Sequence, residues 1–287
     1  MDNKIILVLV LFLVLYYFKY KLPFTNINLP NINLPTMEIM DKMNTLYSKT
    51  NKIALITHVG NMKVFEQILL DYPKFFNNDN IDIYFSCNTN KDYEILLKNF
   101  PDEKVFLYEN RGMDIGPFLL TIKYLSENEL SYDFYIKIHT KTNPRWRNQM
   151  LIPIYKNLPY FLTNKPTNTM MYGCKEWVIN NNFTMNYYYI LDIIKRNYPE
   201  HTEKFLNYCT GKTKQCKTIP YFVAGTIFVF NDKYFDLLKE IKNFNHEFMI
   251  LETGYIVNDP RNPRKTHSWE YLFGYLNYLN DKNITVM

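Results

Sequence analysis

"YDFYIKIHTKTNPRWR", residues 132–147, decides how this chain is read. It opens as an apolar run with the character of a buried strand. Within residues 137–147 it then carries one His, two Lys, two Arg and a Trp. Where a mainly parallel sheet binds a ligand, it does so beyond the carboxyl ends of its strands, so cations placed just after a strand invite a negatively charged partner.

The sequence before that stretch supplies the sheet. "IALIT" (53–57) precedes Phe65, Ile68, Leu69 and Tyr72, spaced as one face of a helix. "IDIYFS" (81–86) precedes Tyr93, Leu96, Leu97 and Phe100 with the same spacing, and "KVFLY" (104–108) precedes Ile115, Phe118, Leu119, Ile122 and Leu125. With "YDFYIKI" (132–138) these make four strand and helix alternations. They predict an α/β, Rossmann-like domain with a mainly parallel central sheet flanked by helices.

Polar groups stand after every one of these strands. Thr57 and His58 follow the first, Ser86 and Asn88 the second, Asn110, Arg111, Gly112 and Asp114 the third, and His139, Thr140 and Lys141 the fourth. The cations at the third and fourth favour an anion such as a diphosphate. Asp114 has two compatible readings: a contact to a nucleotide's ribose or sugar, or the cap of a helix starting at Ile115. Gly112 is expected to supply a positive φ or a close backbone approach. His58 either contacts a base or is a satisfied structural residue. Lys137 alternates with the buried strand face, and its direction stays open, whereas Arg145 and Arg147 either reach the same anion or are solvated.

Beyond residue 165 the pattern is less regular. "TMMYG" (169–173) and "YFVAGTIFVF" (221–230) read as strands, the second feeding a helix with Tyr234, Leu237, Leu238 and Ile241. "SWEYLFGYLNYL" (268–279) reads as a docked terminal helix, with Trp269 on its core face and Glu270 about 100° round from it, toward the cleft rim.

At the other end, Ile5 to Phe18 is an unbroken apolar and aromatic run between Lys4 and Lys19. As a helix it covers about 21 Å, and flanking Tyr and Lys at the interface extend it. No small-residue cleavage site follows, so an uncleaved single-pass anchor over residues 1–21 is expected in preference to a removed signal. The proline-punctuated repeat "NINLPNINLP" (26–35) makes residues 22–48 an extended tether, leaving 49–287 as the catalytic-type domain. Flanking lysines lean toward a cytosolic domain, and the sequons at Asn182 and Asn283 argue the other way.

Composition excludes some partners. A net charge of +5, from 33 basic residues scattered among 28 acidic ones, is not a nucleic-acid footprint. The 25 Tyr and 21 Phe read either as a stacking surface or as the codon bias of an AT-rich genome, which the many Asn, Lys and Ile also fit. The four cysteines have no C-x-x-C spacing, so zinc is not expected; Cys209 and Cys216 close a small loop or, like the others, are free thiols.

The motifs "NRGMDIGPFL" (110–119), "YDFYIKIHTKT" (132–142) followed by "RWR", "VAGTIFVF" (223–230) and "WEYLFGY" (269–275) resemble, in that order, the rhamnan synthesis protein F family. The resemblance covers roughly residues 52–280. It implies a glycosyltransferase of the wider GT-A kind, moving a sugar, rhamnose or another deoxyhexose, from a nucleotide-sugar donor to a glycan or glycolipid acceptor. GT-A enzymes usually hold a divalent metal with Asp-x-Asp after the fourth strand. No Asp-x-Asp occurs here, and His-Thr-Lys stands in that place. No cofactor is therefore expected, with a divalent metal left as the alternative.

On this resemblance Lys141, helped by His139 and Arg111, neutralises the departing diphosphate, and Glu270 removes the acceptor's proton in an inverting reaction. Thr57, His58, Asn110, Arg111, Gly112, Asp114, Thr140, Arg147 and, if not core, Trp269 bind substrate, and Gly225 and Thr226 line the acceptor side. The competing reading is a nucleotide- or glycan-binding module without turnover. Phosphoryl transfer or nuclease chemistry at His139 is disfavoured by the lack of a P-loop and of clustered metal carboxylates.

Overall fold

The computed structural model describes residues 51–180, 186–208, 221–256 and 264–287. The expected anchor and tether, the pair Cys209 and Cys216, and the sequon at Asn182 lie outside those residues. Among the described residues no helix is long and apolar enough to cross a membrane.

The first half follows the alternation read from the sequence: β1 (Ile53–Val59), α1 (Met62–Asp71), β2 (Ile81–Cys87), α2 (Asn90–Asn99), β3 (Lys104–Leu107), α3 (Ile115–Glu127) and β4 (Phe134–His139). Asn61 and Thr89 start α1 and α2 by accepting Val64 and Asp92 N–H on their side chains. The cationic stretch then turns straight into a helix that the sequence reading left out, α4 (Pro144–Thr163). Asn143 caps it and Pro144 occupies its first turn, where a missing N–H costs nothing.

There follow β5 (Met171–Gly173), β6 (Val178–Asn180), α5 (Tyr187–Asn197), α6 (Thr202–Tyr208), β7 (Tyr221–Val223), β8 (Phe228–Asn231), α7 (Asp232–Lys239), α8 (Phe244–Met249), α9 (Lys265–Leu279) and β9 (Ile284–Val286). The run expected as one strand over 221–230 is two. Gly225 and Thr226 have φ of +84° and +54°, which breaks the extended path between β7 and β8.

The main sheet runs β3-β2-β1-β4-β8-β5-β9, and β6 and β7 form a separate pair. β1, β2, β3 and β4 are mutually parallel, β8 is antiparallel to both β4 and β5, and β9 is parallel to β5. The architecture is thus α/β with a mostly parallel central sheet, as the alternation predicts. The chain builds outward from β1 through β2 to β3, then returns to lay β4 on β1's other side. That reversal opens a crevice at the carboxyl ends of β1 and β4.

Every residue of β1 is buried, as is Phe134–Ile138 of β4, because helices cover both faces. Adjacent residues of β4 identify them. Phe134 meets Phe161 of α4 with ring centroids 5.1 Å apart, while Tyr135 stacks at 4.5 Å on Phe235 of α7. Successive strand residues point to opposite faces, so α4 and α7 lie on opposite sides. α1 joins α4 through Tyr72, whose hydroxyl donates to Asn148 at 3.1 Å. On the α7 side, Phe118 of α3 packs edge-on to Phe228, Phe230 and Phe273.

Candidate functional site

Register sets the frame of the crevice. His58 of β1 lies between Ser86 of β2 and His139 of β4. The Thr140 hydroxyl accepts the N–H groups of Gly60 and Asn61 at 2.9 and 3.0 Å, and its own N–H donates to His58 O. The loop that opens α1 is thereby fixed to the end of β4.

Lys137 and His139 share parity with Tyr135 and point to the α3 side. Lys137 is 1% exposed, in an aromatic box with its ammonium 5.2 Å from the Phe118 ring and 5.8 Å from that of Phe228. It pairs with Asp114 and donates to Thr226 O at 2.9 Å and Thr226 Oγ1 at 3.1 Å. Thr226 Oγ1 also bonds Asp114. Asp114 does stand at the amino end of α3, where a negative charge is favoured, yet its side chain makes no cap bond. The cap expectation fails because the carboxylate turns to the buried ammonium instead.

Burial pushes the Asp114 carboxyl up, and His139, Lys137 and Thr226 pull it down; the balance lies well below the usual carboxylate range. His139 is itself lowered to about 4 by burial, so above that pH the Lys137 ammonium is the cation that holds Asp114 ionised. Burial lowers Lys137 too, against the raising effect of Asp114. The space among His58, Ser86, Asp114 and Lys137 is too small to admit a water-sized sphere, so this group is closed. His58 is buried, shares a 3.1 Å hydrogen bond with Ser86 Oγ, and is lowered to about 4 by burial.

The turn between β7 and β8 meets this group from above. His139 Nε2 donates to Gly225 O at 2.8 Å, which leaves Nδ1 unprotonated in the neutral ring, 4.0 Å from Asp114 Oδ1. Glu270 of α9 accepts the Gly225 N–H at 2.5 Å. Gly225 is thus gripped on both sides of its Cα, and the Asp114–Lys137 pair grips Thr226 next to it. These bonds offset two consecutive left-handed residues, one of them not a glycine. Loss of solvent pushes the partly buried Glu270 carboxyl up to about 7.

Lys141 lies over the other face of the same turn. Its ammonium is 3.3 Å from the Trp146 ring centroid, and Trp146 in turn stacks on Trp177 at 4.4 Å. Burial lowers its pKa. A methyl on Gly225 would sit 3.0 Å from Trp146 Cζ2 and 3.3 Å from the Lys141 ammonium, so a side chain there crowds both at a φ that already favours glycine. Arg147, 5% exposed, donates to Lys141 O at 3.0 Å, and its Nε has no partner.

The remaining candidates fall elsewhere. Arg111 pairs with Glu109 at 2.9 Å and donates to Met249 O and Leu251 O, because residues 110–112 lie against 252–254. Its charge is engaged there, and Asn110 O accepts from Gly254 N–H. Gly112 has φ +65°, and a side chain on it would strike Leu251, which meets both halves of its expectation. Thr57 is wholly buried with its hydroxyl unpartnered, and Trp269 is wholly buried against Phe273. Trp146 and Trp177 entered no candidate list; an aromatic just behind a strand-end lysine was the available signal for Trp146, while nothing local marked Trp177. Cys87 and Cys174 are free thiols.

Among the described residues no three His, Cys, Asp or Glu side chains gather as a metal set. Asp114 is committed to Lys137 and Thr226, and a lysine follows β4, so the groups present do not fit a divalent ion at this strand end.

The fold and site define an α/β protein whose mostly parallel sheet carries a histidine, carboxylate and lysine cluster at the crevice of its strand reversal. A family model described as rhamnan synthesis protein F matches residues 22–152. The resemblance read from the motifs is met over that span, which takes in β1 to β4 and the start of α4; "VAGTIFVF" and "WEYLFGY" lie beyond it. No curated protein matches the chain.

Proposed function

We propose that the chain acts in rhamnan-type polysaccharide synthesis as a glycosyltransferase with a Rossmann-like, GT-A-type fold, taking a nucleotide sugar as donor. The observation that carries this is the placement of Glu270 and Lys141 about the Gly225 turn, beside the crevice of β1 and β4. In an inverting displacement the acceptor oxygen forms a bond to the anomeric carbon as that carbon's bond to phosphate oxygen breaks. The acceptor's proton passes to Glu270, and the electron pair leaves with the nucleoside diphosphate. A carboxyl raised to about 7 is well matched to that proton at neutral pH.

Lys141 leaves Trp146 to meet the departing diphosphate, and the unpaired Arg147 N–H supports the same charge. Fixed cations here take the part that a metal plays elsewhere. Lys141→Ala therefore abolishes sugar transfer while the melting temperature stays near the parent's, and a chelator leaves the parent's rate unchanged. Loss of activity in EDTA with recovery in manganese overturns the metal-free chemistry.

One observation favours a binding module without turnover: His139 and Arg111 are already bound to protein carbonyls. Nucleotide-sugar binding with no hydrolysis or transfer by the full chain is the outcome that selects it.

A further inference from the structure

A second titratable group stands on α9 one turn before Glu270. The first turn of that helix buries three polar side chains, Thr266, His267 and Ser268. Thr266 Oγ1 donates to Glu252 Oε2 at 2.7 Å, and Ser268 Oγ donates to Arg264 O at 2.8 Å. The His267 ring is different. The residue is 7% exposed and, among the described residues, the ring has no hydrogen-bond partner, yet neither of its nitrogens is cut off from solvent.

The ring belongs to the same crevice. His267 and Glu270 are i and i+3 on α9, neighbours on one face with Cβ atoms ~5–6 Å apart, and helical side chains tilt toward the amino end, which leans Glu270 toward the turn of His267. One residue ties that turn to the loop behind β3. The Glu252 carboxylate accepts the N–H groups of Lys265 and Thr266 at 2.8 and 3.1 Å, and its backbone oxygen accepts that of Gly112 at 2.7 Å. Asp114 is two residues further on, and its charge acts on both His267 and Glu270.

Charge selects what the ring can hold. Burial lowers the His267 pKa, against the raising effect of Glu252 and Asp114, so the imidazole is neutral at pH 7 and presents one N–H donor and one bare acceptor nitrogen. Its acidic neighbours are ionised: Asp114 is paired with Lys137, and the bonds from Thr266 and Lys265 outweigh the burial that raises Glu252. A phosphate is repelled by those carboxylates and is better placed at Lys141. A hydroxyl carries no charge and can both give and take a hydrogen bond, which matches a neutral imidazole.

We infer that His267 holds a hydroxyl of the sugar being transferred, beside Glu270. The inference rests on the glycosyltransfer reading for the ligand, and on the unpaired ring for the contact. The test is calorimetry on the full chain with dTDP-rhamnose and UDP-rhamnose against dTDP and UDP, which isolates what the sugar adds, with sugar turnover measured in parallel. The parent should bind a sugar nucleotide more tightly than its nucleotide. His267→Phe, which keeps a ring and removes both nitrogens, should weaken the sugar nucleotide about tenfold, as for one lost hydrogen bond, and leave the nucleotide unchanged. His267→Gln, which keeps a donor and an acceptor, should restore most of that loss.

If His267→Phe does not fold, His267→Ala takes its place, since it removes the same contact without adding bulk. An equal loss for nucleotide and sugar nucleotide, no loss for either, or a parent in which the sugar adds no affinity overturns the contact, and turnover by the parent then leaves the transferase reading standing. A loss confined to the sugar nucleotide, in a parent that shows no turnover, supports the contact and removes the transferase reading alone.

Discussion

Lys137→Met isolates the energetic centre of the crevice. The ammonium is 1% exposed and has three acceptors on two residues, Asp114 and Thr226. Replacing it with an unbranched apolar chain keeps the fit to Phe118 and Phe228 but strands the Asp114 carboxylate, with Thr226 Oγ1 as its remaining donor. Breaking one side of a buried pair costs about 3–5 kcal/mol. Against a typical total of about 5–15 kcal/mol this is about a fifth of the stability or more.

With a urea m-value of about 3 kcal/mol/M, the midpoint falls by about 1–1.7 M. Adding Asp114→Asn removes the stranded charge, and the double variant should recover at least about half of the loss, because neutral replacements of buried pairs are often tolerated. Urea melts followed by circular dichroism on the parent, both singles and the double read this directly. A Lys137→Met cost below about 1 kcal/mol, or a double variant as unstable as the sum of the singles, refutes the reasoning. The pH sign agrees: the Asp114 carboxyl is held below its unfolded value of about 3.9, so the pair's contribution is complete above that pH and is lost as pH falls through the folded value.

Three more outcomes follow from the same geometry. With Glu270 at about 7, kcat/KM for transfer rises with pH through a midpoint near 7, and Glu270→Gln removes both the rate and that limb. His58 and His139, both lowered to about 4, are neutral in the fold, so stability is lost as pH falls from about 6.5 toward 4; Glu270, raised to about 7, adds an opposite slope, and stability melts of Glu270→Gln should climb more steeply between pH 4.5 and 7 than those of the parent. Gly225→Ala places a methyl against Trp146 and Lys141 at a left-handed φ, costing about 1–3 kcal/mol, and lowers both the melting temperature and transfer.

Local pattern was enough to read β1 to β4 and their helices, because side-chain periodicity is a property of neighbours two to four residues apart. The same logic found the crevice residues, since strand ends can be marked without knowing their partners. It also placed Trp269 on the core face of α9. It failed where an answer depended on a distant segment. Whether Lys137 faced core or cleft was settled by Thr226, 89 residues on, and Asp114 gave up its cap position for the same group. Arg111 was drawn from the crevice by residues 249–251, which form no motif with it.

The sequence by itself determined an α/β chain of strand and helix units with cations behind the fourth strand, because alternation and turn chemistry are written residue by residue. Only the tertiary structure decided which of those charges are consumed in the core and which stay at the rim. That choice is made by burial: an ammonium removed from water must find its carboxylate, and the partner within reach depends on which strands and helices pack side by side.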